Sequence, residues 1–279
     1  MDTYVFLVVL ASAAFHASWN ALLKIGLDRF LTASLIQIGA GALAVFALPF
    51  VPTPAPEAWP WIGLSALLHV GYNTCLSRAY QYGDLGQVYA IARGSAPLWV
   101  TLASLWLLDD QLTAWQLAGL GLLVIGIWLM ALRKRQQPAQ GPMLYYALAT
   151  SVFIAGYTLS DGIGARANGA AVAYSLWLFV VNALVMTAAL ALVRGPQVFT
   201  QLRGHWRAGL VGGGLSMAAY TLVLWAMTQA PLALVAALRE TSVVFALLIG
   251  MIWLKEHPGA RRISACLVIA CGVVVMKLS

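Results

Sequence analysis

Long apolar runs, following one another from end to end, restrict this chain's fold more than any other feature. They fall at 4–24, 31–51, 62–82, 86–107, 114–132, 143–163, 171–193, 208–228, 232–254 and 262–278. Each is close to the ~20 residues a helix needs to cross a ~30 Å hydrocarbon core. The breaks between them are short. Pro52-Thr53-Pro54-Ala55-Pro56 follows the second run, and Gln137-Pro138 with Gly141-Pro142 separates the fifth from the sixth. Composition agrees: 62% of residues are hydrophobic and 9% charged, with mean hydropathy +0.84. A soluble domain carries roughly a quarter charged residues, so too little polar material remains here to cover a water-facing surface. The expectation is an all-α polytopic membrane protein with ten transmembrane helices. The first run lacks a basic leader and a small-residue cleavage site, so it reads as a retained helix.

The net charge of +7 does not point to nucleic acid, because the basic residues sit at the ends of apolar runs. If successive runs alternate in direction, one side holds Lys24, Arg29, Arg78, Arg133, Lys134, Arg135, Arg194, Arg203, Arg207, Lys255, Arg261 and Arg262. The other holds Arg166 and Lys277. The positive-inside rule makes the rich side cytoplasmic and, for an even number of spans, both termini periplasmic in a bacterial inner membrane. Trp59, Trp61, Trp115, Tyr145, Tyr146 and Trp206 lie near run ends, where amphipathic rings anchor. Cys75, Cys266 and Cys271 fall inside runs without metal-ligand spacing and read as packing residues.

The chain also matches itself. An offset of 147 residues aligns 79–85 with 226–232 and pairs Ser95 with Ser242, Trp106 with Trp253 and Arg93 with Glu240. Five runs per half is an odd number, so the second half, 138–279, enters the membrane upside down relative to the first, 1–137. Inverted repeats of this kind place one site near the midplane in many secondary transporters.

Ten runs in two halves, the stretch Trp106-Leu107-Leu108-Asp109-Asp110-Gln111-Leu112-Thr113 and its partner Trp253-Leu254-Lys255-Glu256 resemble the EamA-like branch of the drug/metabolite transporter superfamily. So do His16-Ala17-Ser18-Trp19-Asn20 and the 83–94 stretch from Gly83 to Gly94. The second acidic motif continues into His257-Pro258, a departure from the pattern. The resemblance implies a basket of ten helices around a central cavity lined by the fourth and ninth spans. It names no substrate.

Polar residues inside apolar runs are expected to face the bundle interior. The first run carries His16, Trp19 and Asn20, and the third carries His69, Tyr72 and Asn73. Both triplets are spaced i, i+3, i+4, which shares one helical face. The plain reading is interhelical hydrogen bonding; the functional one is a cavity wall. Arg93 lies in the fourth run between Tyr89 and Pro97, and Arg239-Glu240 lies in the ninth. Mirrored depths put Arg93 and Glu240 roughly 10 Å apart along the membrane normal, too far for a direct ion pair unless one side chain reaches, and suited to the two ends of a zwitterion. Arg239 and Glu240 could instead neutralise each other. Tyr157 and Tyr220 align with Trp19 and Asn73 in the repeat and extend the candidate set. Asp161, beside Arg166, reads as half of a solvated surface pair.

The functional expectation is a secondary transporter moving a small polar metabolite, such as an amino acid or aminophosphonate, across the inner membrane. Protons are a candidate coupling ion, the lipid bilayer is the surrounding partner, and the assembly is a monomer or homodimer. An exporter of organic cations or drugs is the alternative, and a non-transporting assembly factor a third reading. No nucleotide loop, metalloprotease motif or nucleophile elbow appears. No enzyme activity, cofactor, metal or nucleic acid is expected.

Overall fold

A computed structural model describes residues 1–21, 27–83, 85–108, 110–131, 141–253, 255 and 259–278. Lys24, Asp109, Arg133, Lys134, Arg135, Glu256 and the His257-Pro258 step lie outside the described residues. Within them the chain is helical and contains no strand. The helices are α1 (Thr3–Ala21), α2 (Arg29–Ala47), α3 (Trp59–Tyr82), α4 (Leu85–Leu107), α5 (Ala114–Ala131), α6 (Gly141–Asn168), α7 (Ala171–Arg194), α8 (Val198–Arg203), α9 (Trp206–Gln229), α10 (Leu232–Arg239), α11 (Ser242–Trp253) and α12 (Ala260–Leu278). Among the described residues, six segments are long and apolar enough to cross a membrane, in α1, α2, α6, α7, α9 and the combined α10–α11 stretch.

Local chemistry sets several boundaries. Asp28 caps α2 by accepting from the Leu31 N–H at 3.0 Å. Thr113 and Gln116 form a reciprocal capping box at the start of α5, with bonds of 3.1 and 3.2 Å. Gly195, at φ +78°, closes α7 in a backbone region that suits glycine.

The ninth apolar run differs from expectation, because it is two helices instead of one. The Glu240 N–H bonds to the Ala237 carbonyl and the Thr241 N–H to that of Leu238, both at 3.0 Å. These are three-residue steps, a tightened turn inside the run. The Thr241 hydroxyl also donates to the Leu238 carbonyl at 2.7 Å, holding the turn in place. Its repeat mate α4 is disturbed at the same depth by Pro97, which cannot donate to the Arg93 carbonyl. The short helix α8 was not expected either, and α6 runs five residues past the end of its apolar run.

Small residues let the helices meet. A Cβ on Gly39 of α2 would overlap the Gly209 carbonyl of α9, and one on Gly119 of α5 would lie 2.7 Å from the Gly272 carbonyl of α12. The neighbours form a self-consistent pattern. α1 packs on α9 as α3 packs on α6; α2 meets α9 as α7 meets α3; α1 meets α11 as α6 meets α4. Across the middle, α2 packs on α7 and α5 on α12. Large apolar side chains such as Phe50, Trp106 and Leu192 point outward and are more than four-fifths exposed. Cys271 is exposed as well and so is not a packing residue.

The helix ends are tied in two layers. At one, Arg194 pairs with Asp28 at 3.3 Å. At the other, Arg166 donates to the Met227 and Ala230 carbonyls at 2.8 and 2.9 Å. In that same layer, Lys277 donates to the Met1 carbonyl and the Thr3 hydroxyl, and Asp110 accepts from the Leu232 N–H.

Candidate functional site: a polar cavity at the helix breaks

Between these layers lies a cavity of about 120 Å³, lined by α1, α2, α3, α4, α6, α7, α9 and α10. Both triplets face it: His16, Trp19 and Asn20 from α1, and His69, Tyr72 and Asn73 from α3. Tyr89 and Arg93 reach it from α4, Tyr157 from α6, Tyr220 from α9 and Arg239 from α10. A second space of about 80 Å³ shares Trp19, Asn20, Tyr72, Tyr89 and Arg93. It extends past Thr32, Leu76 and Tyr80 toward the layer that holds the Arg194–Asp28 pair.

Glu240 does not belong to this wall. Its carboxylate stands behind Arg93, with Oε2 accepting from Arg93 Nε at 2.8 Å. Its other oxygen lies 3.7 Å from Arg239 Nε. The direct ion pair arises by the one route the helical-rise count left open, a side chain that reaches. Counting helical rise places backbones, whereas the long Arg93 side chain crosses the remaining gap. The three groups are 5%, 4% and 0% exposed in the order Arg93, Arg239, Glu240. Two buried cations thus share one buried anion, which leaves the cluster an excess positive charge.

Rings position the rest. His69 stacks on Tyr157 at 4.1 Å, and Tyr72 and Tyr220 stand edge-on to Tyr157 at 5.9 and 6.4 Å. The Arg93 guanidinium lies 5.8 Å from the centre of the Tyr89 ring, and that of Arg239 lies 6.0 Å from Tyr220. Asn20 donates back to the His16 carbonyl at 2.8 Å, so its amide is partly spent on its own helix.

Several buried polar atoms of wall residues have no hydrogen-bond partner among the described residues: Trp19 Nε1, Asn73 Nδ2, Arg93 Nη2, Arg239 Nε and Gln37 Oε1. Four of the five are donors. A buried donor without a partner is costly, so this set suits a solute that brings acceptors.

Asn182, a mid-run polar residue visible in the sequence, also lines the cavity. Two features are not foreseen by the sequence. Gln37 lines the cavity too, and it is a polar residue in mid-run, the same signal that marks Asn73. The other is Asp161, which is not a surface partner of Arg166. It is 0% exposed and accepts from the Tyr220 hydroxyl at 2.5 Å and the Tyr174 hydroxyl at 3.2 Å. Arg166 serves helix-end carbonyls instead. The apolar run ends near Asp161, whereas α6 continues two turns beyond it.

Comparison with known proteins adds two findings. The profile of the EamA-like transporter family matches twice, over residues 3–132 and 141–278. A solved structure described as a crystal structure of protein superposes with a TM-score of 0.75 at 20% identity, covering 99% of this chain and 96% of that one. At that identity the likeness speaks for the fold alone. Comparison with curated sequences returns no match.

Proposed function

The chain belongs to the EamA-like transporter family, and from that premise we propose that it is a secondary transporter of a small metabolite bearing a carboxylate or phosphonate, an amino acid being the simplest case. It is a multi-pass membrane protein of the drug/metabolite transporter type. The finer reading has ten spans, with α10 and α11 together forming the ninth, in a bacterial inner membrane. Residues 1–137 and 138–279 form two inverted halves around the cavity. The exchange symmetry of the helix contacts supports that arrangement. So does the ion pair between the repeat mates Arg93 and Glu240, 147 residues apart, because two mates can touch only near the axis that relates them.

One observation carries the substrate class: the unspent Nη2 of Arg93, buried at the cavity beside the unpartnered donors of Trp19 and Asn73. Arg93 would hold the acid through a charge-assisted hydrogen bond worth about 1.5–3 kcal/mol. Glu240 would fix the guanidinium from behind instead of receiving the amine. The amine would face the rings of Tyr72, Tyr157 and Tyr220, where cation–π attraction contributes about 0.5–2 kcal/mol, and Gln37 Oε1 would accept from it.

The test compares leucine with 3-methylbutylamine, its decarboxylated counterpart, by calorimetry on purified protein. Leucine should bind at least tenfold tighter, and Arg93→Gln should erase that preference. Equal or tighter binding of the amine supports export of organic cations instead.

A further inference from the structure

Asp161 has no role in the site as built so far, yet it is a fully buried carboxylate one hydroxyl away from the cavity. Resting on the transport reading above, we propose that Asp161 is the proton-binding site that couples proton movement to substrate occupancy, with Tyr220 as its link to the cavity.

An ionised carboxylate in an apolar interior is expensive unless paired, and such a group takes up a proton instead. Among the described residues, no Lys, Arg or His nitrogen lies within ion-pair distance of Asp161. Its support is neutral: the hydroxyls of Tyr220 and Tyr174. Hydroxyl donors stabilise the charged form without abolishing the proton's access, which is what a reversible proton site needs.

The groups around Asp161 come from every element packed against α6. α3 presents Ser65 and, beyond it, His69, whose Nδ1 lies 3.3 Å from the Ser65 hydroxyl. α7 presents Tyr174 and α9 presents Tyr220. α10 presents Arg239, whose charge reaches Asp161 without contacting it. On α6 itself, Tyr157 stacks with His69 and Arg166 is engaged with carbonyls. Glu57, on the turn packed against the far end of α6, is exposed. The part of α4 beyond Arg93 carries no titratable group.

Tyr220 is both a wall of the cavity and a donor to Asp161 Oδ2. A proton can therefore arrive without a charged intermediate in the apolar layer. The Tyr220 hydroxyl passes its hydrogen to Oδ2 while its oxygen takes one from a hydrated proton in the cavity, and the net change is one proton added to Asp161.

The coupling runs through Arg239. Ionised Asp161 offers this guanidinium a second anion besides Glu240. Once Asp161 is protonated, Arg93 and Arg239 share Glu240 alone, and the excess positive charge of the cluster favours an incoming carboxylate. Proton and acid therefore bind together.

Two measurements decide it. The first is an infrared pH titration of the full chain in liposomes without substrate. Wild type should show a protonated-carboxyl C=O band that fades as pH rises and is absent from Asp161→Asn, whose amide keeps an acceptor for one tyrosine and turns an N–H toward the hydroxyl oxygen of the other. Tyr220→Phe should keep the band but shift its wavenumber, because the protonated Oδ2 loses its hydrogen-bond partner. A titrating band that survives in Asp161→Asn, or no such band in wild type, overturns the assignment. The second is leucine binding across pH. Affinity should rise as pH falls, by up to tenfold per unit, and Asp161→Asn should bind leucine with no pH slope. A slope that persists in Asp161→Asn places the coupling proton elsewhere. Failure of leucine to bind wild type at any pH counts against the substrate class, while the infrared result still judges Asp161.

Discussion

Neutralising Glu240 should damage the protein far more than neutralising Arg93, although the two form one ion pair. Glu240→Gln leaves the guanidiniums of Arg93 and Arg239, 5% and 4% exposed, without any anion in ion-pair contact. Removing one partner of a buried pair in this way costs about 3–5 kcal/mol. Arg93→Gln is milder, because Glu240 still has Arg239 at 3.7 Å. Its cost is that of one weakened charged hydrogen bond, about 1.5–3 kcal/mol. Reversible unfolding in mixed micelles with rising dodecyl sulfate measures both, and the double variant completes a cycle that isolates the pairwise energy. The expected order is Glu240→Gln well below Arg93→Gln. An Arg93→Gln protein as unstable as Glu240→Gln would refute the shared-anion arrangement, since Glu240 would then be depending on Arg93 alone.

Further outcomes follow from the same geometry. Gly39→Val drives side-chain atoms onto the Gly209 carbonyl and should cost about 1–3 kcal/mol in the same unfolding assay, whereas Gly121→Ala, with open space around its Cβ, should be near neutral. Trp19→Phe keeps a ring but removes a donor without a protein partner, so calorimetry should show leucine affinity falling by about a factor of 5–10 with unfolding unchanged. A fluorescent protein that matures poorly outside the cytoplasm should stay dark when fused after Ser279, and bright cells would contradict the periplasmic C-terminus.

The candidate wall was legible because lipid makes polar residues conspicuous. His16, Asn20, His69, Asn73 and Arg93 interrupt apolar runs, and all five face the cavity. Side-chain reach was not legible, so Arg93 and Glu240 were placed apart and are in contact. The break between α10 and α11 left no Pro or Gly to announce it; the Leu238-Arg239-Glu240-Thr241-Ser242 sequence is compatible with an unbroken helix, and the turn is set by hydrogen bonds formed in the folded bundle. Asp161 was misread for a related reason. A polar residue was used to end an apolar run, when the helix carried it inward to meet two tyrosines from other helices. Sequence periodicity reports what a helix face contains, and only packing reports what that face meets.

Exchange across a membrane tests the acid-carrying cavity most directly. In liposomes loaded with unlabelled amino acids, wild-type protein should accelerate entry of a labelled amino-acid mixture well above protein-free vesicles, and Arg93→Gln should reduce it to that background while remaining folded. Entry at the wild-type rate in Arg93→Gln, or no entry above background in wild type, would contradict the claim that this cavity carries an acid held by Arg93.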